Sequence, residues 1–284
     1  MATIENVSDT ARWVAVYRAM ETARPDALFR DPFADRLAGS QGRQIVDEMK
    51  QGKALAWPMI VRTAVFDEII LDAVNQKKVD LVVNLAAGLD ARPWRLPLPP
   101  ALHWVDVDLP GILNYKTETL KGETPKCRYE AVTADLTDAE VRRTLFARLG
   151  AEATRALIIA EGLLIYLQPE QVGALATELH AQAPFQEWLI DLASPQLLKR
   201  MSKTWGKQVH EGGAPFLFAP AEDTAFFLHY GWREKEYRGL WDEALRLNRT
   251  MKGAKFWTFL GRFYPKKVRE SFRRFSGLVL LERI

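Results

Sequence analysis

Cysteine is almost absent: the 284-residue chain has a single one, Cys127. A disulfide framework within the chain is excluded, and such thiol usage suits a reducing, cytoplasmic location. Histidine is also scarce, at His103, His180, His210 and His229. No Cys/His spacing suggests a metal, and none is expected. Nor does any Ser-His-Asp order stand out. No window approaches the roughly eighteen consecutive apolar residues of a transmembrane segment. The opening MATIENVSDTARW lacks a basic start followed by an apolar run, so it does not read as a secretory signal. The dinucleotide loop G-x-G-x-x-G is missing too, which disfavours a nicotinamide cofactor.

What is present is apolar material and uneven charge. Hydrophobic residues make up 48% of the chain, enough for a substantial core in one large domain with insertions. Net charge is +3, yet residues 252–284 hold nine Lys/Arg and two Glu, a local +7 that leaves −4 for the remainder. There KFWTFLGRFYPKKVRESFRRF mixes bases with aromatics, a composition found on nucleic-acid and membrane-surface binders. The simpler reading is a solvated basic helix whose Phe and Trp face the core, with no nucleic-acid partner.

Hydrophobic periodicity divides the chain. Thr10–Glu21 and Arg62–Val74 carry helical spacing, with breaks at Asp31-Pro32 and Trp57-Pro58. From Val79 onward short apolar runs alternate with helical or loop segments: 81–85, 102–107, 155–160 and 187–192, with a weaker strand near 128–132. Continuous apolar strands suit a mostly parallel sheet covered on both faces. Pro169–Ala183 reads as a helix. Residues 195–222 are rich in Gly and Pro and read as a lid over the site. A helix over Ala221–Tyr230 stops at Gly231, a strand follows at 233–238 and a helix at 241–249, and SGLVLLE closes the chain as a strand.

The chemistry-bearing motifs lie at strand ends. In VVNLAAGLDAR the apolar run ends in small residues, where bare backbone lets a ligand approach closely. Without phosphate-binding glycines, a phosphate-free nucleoside fits better, and S-adenosylmethionine is one. HWVDVDLP ends in Asp106 and Asp108, which share a face by alternation, and either carboxylate could accept both ribose hydroxyls. After the third strand, Asp135 can accept from an adenine amine while a neighbouring backbone N–H, as at Leu136, donates to a ring nitrogen. Glu161 sits where the fourth strand meets its loop and could face the sulfonium or amino end of the cofactor. Tyr166 could line the acceptor pocket, although a buried aromatic with a bonded hydroxyl is the plainer reading. His210, in the proposed lid, is the one histidine placed to act as a base. No catalytic side chain is nominated.

In the order TARWVAVYRAMETARPDALFRDPFADRLAG, MIVRTAVFDE, NLAAGLDARPWRL, WVDVDLP, TADLTD and AEGLLIYLQPEQV, nearly the whole chain resembles the leucine carboxyl methyltransferase family. It is most similar to the bacterial O-methyltransferases of polyketide and other small-molecule modification. The resemblance implies an α/β class I S-adenosylmethionine-dependent methyltransferase fold: Rossmann-like, doubly wound, with a mostly parallel seven-stranded sheet. It implies a helical cap over 1–78, a cofactor-binding core over 79–194, a lid over 195–232 and completing elements over 233–284. It also implies that Arg62 holds the cofactor's methionine carboxylate and that Ala86 stands where the family usually has glycine. Gly88 keeps the second glycine, Asp108 matches the ribose acid, Asp135 and Leu136 the adenine pair, and Glu161 the cofactor-side acid. Arg18 lies near a further basic position of the family. The expected cofactor is S-adenosyl-L-methionine, leaving S-adenosyl-L-homocysteine. The expected partner is a small-molecule methyl acceptor, with a homodimer left open. Methylation of a protein's C-terminal leucine, or non-catalytic binding through the basic aromatic segment, are the alternatives.

Overall fold

A computed structural model describes residues 7–49, 52, 56–211, 215–251, 253, 261 and 264–284, with backbone alone at 7–9, 205–211 and 267. Its centre is one seven-stranded sheet. The strands are β1 (Leu81–Leu85), β2 (His103–Asp108), β3 (Arg128–Thr133), β4 (Ala156–Ala160), β5 (Phe185–Ala193), β6 (Trp232–Gly239) and β7 (Ser276–Arg283). They lie in the order β3-β2-β1-β4-β5-β7-β6. β1 to β5 run parallel, and β7 is antiparallel to both its neighbours.

The sequence pattern explains this sheet. LVVNL and ALIIA are buried along their whole length, as central strands covered on both faces must be. Alternation sends Leu81, Val83 and Leu85, with Val105, Ile158 and Ile190, to one face. There they meet Phe146 and Leu149 of α6 (Ala139–Glu152) and Leu175 and Leu179 of α7 (Pro169–His180). Val82, Trp104, Leu157 and Ile159 point the other way, onto Val65, Phe66 and Ile69 of α3 (Trp57–Asn75). α1 (Val7–Thr22) and α2 (Ala34–Glu48) form a third apolar cluster with Leu89, Trp94 and Ile112. The strand order turns back between β1 and β4, so their outgoing connections part and leave a crevice at the carboxyl edge of the sheet.

Asp106 departs from its expected ligand role. Its side chain is fully buried in β2 and is used internally. Lys116, on α5 (Pro110–Thr119) and equally buried, donates to Oδ2 at 2.6 Å; the Trp104 indole and the Asn84 amide donate to Oδ1 at 2.8 and 3.2 Å. Asp106 and Asp108 do share a face, but Asp106 lies two residues inside the sheet, where the α5 lysine closes over it.

The segment 195–232 also differs from a Gly/Pro-rich lid. It opens with the long helix α8 (Pro195–Glu211). It then descends along the sheet as Phe218, Phe226, Phe227 and Trp232 enter the core, so its second half is structural. Asp223–Tyr230 is a 3-10 helix rather than an α-helix, ended by Gly231 at φ +82°.

The segment between β6 and β7 lies at the carboxyl edge. Gly239 pairs with Gly277, and Ser276 pairs with Ala193 at the end of β5. This insertion carries α9 (Leu240–Arg246) and α10 (Lys266–Arg273). Trp241 packs edge-on against Trp57 of α3 at 5.9 Å, but Tyr264 and Phe272 do not face the core, at 52% and 60% exposed. The segment stands beyond the last strand pairs, where no sheet face remains to cover these rings. Phe256, Trp257, Phe259 and Phe263 lie outside the described residues.

Replacing Asp106 by alanine leaves the Lys116 ammonium buried without its counter-charge. Urea unfolding is expected to show a loss of about 3–5 kcal/mol, whereas Asp135→Ala, at an exposed turn, should cost far less.

Candidate cofactor site

The carboxyl edge assembles from short loops, each leaving its strand where the apolar run stops. After β1 the chain reverses through Ala86 at φ +51° and Gly88 at φ +53°. This left-handed region is open to glycine and strained for alanine. The Gly88 N–H donates to Asp108 Oδ2 at 2.6 Å, and the Leu109 N–H donates to Oδ1 at 2.7 Å. A Cβ on Gly88 would stand 3.1 Å from the Ala11 methyl, because α1 packs over this loop. Arg18 of α1 ties the two together: it donates to Asp31 at 2.8 Å and to the Leu89 carbonyl at 2.6 Å.

Asp108 is the half-buried acid at the end of β2. Burial pushes its carboxyl above the ordinary value, against the pull of the Gly88 and Leu109 N–H groups. Each oxygen keeps a further lone pair for a hydroxyl donor. One strand further out, Asp135 is exposed, and Thr137 donates to its Oδ1 from both backbone N–H and hydroxyl, which holds the carboxyl below its usual range. Leu136 packs against the core, and its carbonyl accepts from Arg142 at 2.6 Å.

On the other side of β1, charge is concentrated. Arg62 of α3 donates through Nη1 to Asp191 Oδ2 at 2.9 Å. Its Nε lies 2.9 Å from Glu161 Oε1 but off the N–H axis, so this buried donor lacks a well-aligned bond. Asp191 Oδ1 accepts the Gly162 N–H at 2.7 Å. Gly162 itself sits at φ +69°, with Arg62 Nη1 3.1 Å from where a Cβ would stand. Glu161 Oε2 accepts from Arg92 at 2.8 Å, and Arg92 also binds Asp90 at 2.6 Å and Asp67 at 2.7 Å. Arg95 makes two further bonds to Asp67. Burial works against charge on Asp90, but Arg92, Lys116 and Arg95 outweigh it and hold its carboxyl at about 2.

Three guanidiniums (Arg62, Arg92, Arg95) thus face four carboxylates (Asp67, Asp90, Glu161, Asp191), a formal surplus of one negative charge in a largely dehydrated cluster. A buried surplus charge is costly unless a ligand answers it. S-adenosylmethionine has a sulfonium, an ammonium and a carboxylate, hence one net positive charge. Its charge matches the cluster, and the misaligned Arg62 Nε offers its carboxylate a donor.

Tyr166 closes the other side of this group. Its hydroxyl interacts with Thr10, Arg62 and Asp191, and burial pushes the phenol up. Its ring lies 5.7 Å from that of Phe216, and the Ile165 carbonyl accepts from Leu217 N–H at 2.7 Å. Arg62, Ala86, Gly88, Asp108, Glu161 and Tyr166 therefore share one edge, with Asp135 and Leu136 at its β3 end. Of the histidines, His103 starts β2, His180 binds the Ile284 carbonyl, and His229 precedes β6, all toward the opposite edge. The His210 side chain lies outside the described residues.

Sequence reasoning missed Asp191, Asp67, Asp90 and Arg92. Asp191 left a trace, a lone acid inside the apolar run WLIDLA that ends β5. Asp90 and Arg92 lay within NLAAGLDARPWRL, whose glycine drew attention away from them. Asp67 lay within MIVRTAVFDE, where Arg62 was the residue singled out.

The sequence profile of the leucine carboxyl methyltransferase family matches residues 11–180. The chain belongs to that family. It is 37% identical over 188 residues to a Mycolicibacterium gilvum protein provisionally named an S-adenosyl-L-methionine-dependent methyltransferase, spanning 60% of each chain. A Mycobacterium avium protein of the same name is 34% identical over 270 residues, 86% of this chain and 85% of its own. Among solved structures, a DUF574 family protein from Streptomyces avermitilis superposes with a TM-score of 0.60 at 13% identity, over 97% of each chain. A Thermobifida fusca protein provisionally named a methyltransferase gives 0.57 at 17% identity, over 95% of this chain and 94% of its own. The fold is that of the class I S-adenosylmethionine-dependent methyltransferases. In this leucine carboxyl methyltransferase relative, no group of His, Cys, Asp and Glu suited to a metal occurs among the described residues.

Two outcomes follow from these loops. Ala86→Gly should relieve the left-handed strain and raise adenosylhomocysteine affinity in calorimetry, with unfolding stability changing by less than about 1 kcal/mol. Asp90 is depressed below its unfolded value, so its contribution to stability is complete above about pH 4 and fades as pH falls towards 2. Acid titration of Asp90→Asn should show a less stable protein at neutral pH and a shallower decline across that interval.

Proposed function

We propose that the chain is an S-adenosylmethionine-dependent O-methyltransferase acting on a carboxylate or hydroxyl of a small molecule, of polyketide-like or other secondary-metabolite type. The observation that carries this reading is the surplus carboxylate around Arg62 beside the bare Gly88 backbone and Asp108. The family match supports it independently.

In this reading Arg62 takes the cofactor's carboxylate, and Glu161 and Asp191 face its ammonium. Asp108 accepts from the ribose hydroxyls, Asp135 from the adenine amine, and the Leu136 N–H donates to the ring. When bound there, the cofactor would supply an activated methyl group to the acceptor oxygen, the carbon–sulfur electron pair leaving with sulfur. Alignment and exclusion of water are the protein's main tasks, because the donor is already activated.

The surroundings of Tyr166 favour a carboxylate acceptor, which needs no proton removed. Burial raises its phenol, so it is not a base at neutral pH, while the described carboxylates at the edge are bound to arginines or backbone N–H groups. Tyr166 and Phe216 supply an aromatic wall, and α8 follows β5 at the same edge.

Calorimetry with S-adenosylmethionine and its demethylated product is the direct test; no heat and no thermal shift would defeat the reading. Arg62→Ala should weaken binding by about 10–100-fold through loss of charge-assisted bonds. Asp191→Asn should weaken it less, by about 3–10-fold, since the amide oxygen can keep the Gly162 N–H while Arg62 loses its charged acceptor. Methylation of a peptide ending in leucine, with none of small carboxylic acids, would favour the protein-directed alternative.

A further inference from the structure

We propose that the described stretch from Tyr264 to Arg273, between β6 and β7, is a docking surface for an anionic lipid bilayer. Tyr264, Val268 and Phe272 recur at intervals of four and are 52%, 38% and 60% exposed. The rings of Tyr264 and Phe272 lie 6.2 Å apart, which makes the three a continuous apolar ridge. Lys266 and Arg273 flank it at 83% and 69% side-chain exposure, and Arg269 is exposed beside them. This ridge belongs to the stretch that holds nine bases against two acids, while the rest of the chain is net negative.

An apolar ridge with cationic flanks matches the boundary of a bilayer. The rings enter the level between headgroups and acyl chains, and the long basic side chains reach the lipid phosphates. A second copy of this chain fits poorly, because two surfaces of the same strong charge repel. Single-stranded RNA fits less well than lipid: Val268 has no face on which a base can stack, and the two rings are inclined 45° to each other.

The insertion leaves and rejoins the sheet at Gly239 and Ser276, on the same edge as Arg62, Gly88 and Asp108. Docking would turn that edge toward the bilayer, where an amphiphilic molecule could reach it without crossing bulk water. The surface is inferred from its own chemistry and does not depend on the reaction proposed above.

The test is co-sedimentation of the full chain with vesicles of three parts phosphatidylcholine to one part phosphatidylglycerol, beside pure phosphatidylcholine. Binding is expected on the anionic vesicles, weaker on the neutral ones, and reduced when salt rises to about 0.5 M. The double variant V268S/F272S should bind at least about fivefold less, with adenosylhomocysteine affinity unchanged as the sign of an intact fold. If that variant does not fold, the charge reversal K266E/R269E takes its place with the same expectation. No binding to anionic vesicles, or equal binding by a folded variant, overturns the proposal. So does a single-stranded RNA complex, or a dimer in sedimentation velocity, that the variant abolishes while vesicles are ignored. Lack of heat with adenosylhomocysteine would bear on the reaction alone.

Discussion

The Arg62–Glu161–Arg92 bridge holds the carboxyl edge together. Arg62 comes from the helix before the first strand, Glu161 follows β4, and Arg92 follows β1. Asp191 at the end of β5 completes the cross-link. Four elements far apart in the chain are thereby locked at one point, directly beside the place where the strand order reverses. Removing any one charge strands its partner in a dehydrated setting, so the network is more valuable as a whole than as separate pairs.

This arrangement divides the molecule into a rigid receptor and adaptable surroundings. Gly88, Asp108 and Gly162 are placed by parallel strands whose side chains are buried on both faces, leaving little freedom in the backbone of the candidate site. The remainder of that edge is built from connections instead: α8 after β5, the 215–218 stretch against Tyr166, and the long insertion before β7. Such segments can change composition without disturbing the sheet.

The regular elements were legible because their signals are local. Continuous apolar runs marked β1 and β4, and Gly231 marked the end of the 3-10 helix. Strand-end motifs pointed to Gly88, Asp108 and Glu161, and the family resemblance to Arg62; the structure brings all four to one edge of the sheet. Asp106 misled because alternation reports which face a side chain takes but says nothing of the lysine that closes over it. The aromatic residues of the last insertion misled for a related reason. A ring beside bases reads as core whenever a core is within reach, and the reach of Phe272 depends on where β7 begins.

Local sequence patterns alone determined that this is an α/β protein with a mostly parallel core and small residues after its first strand. Those features follow from short-range steric rules acting on neighbouring residues. Only the tertiary structure decided that Asp106 is internal, that Asp191 and Arg92 complete the charged cluster, and that the basic insertion rises from the cofactor edge. Each of these depends on contacts between segments distant in the chain, and electrostatic balance in a buried cluster is a property of the assembled group that no single segment carries.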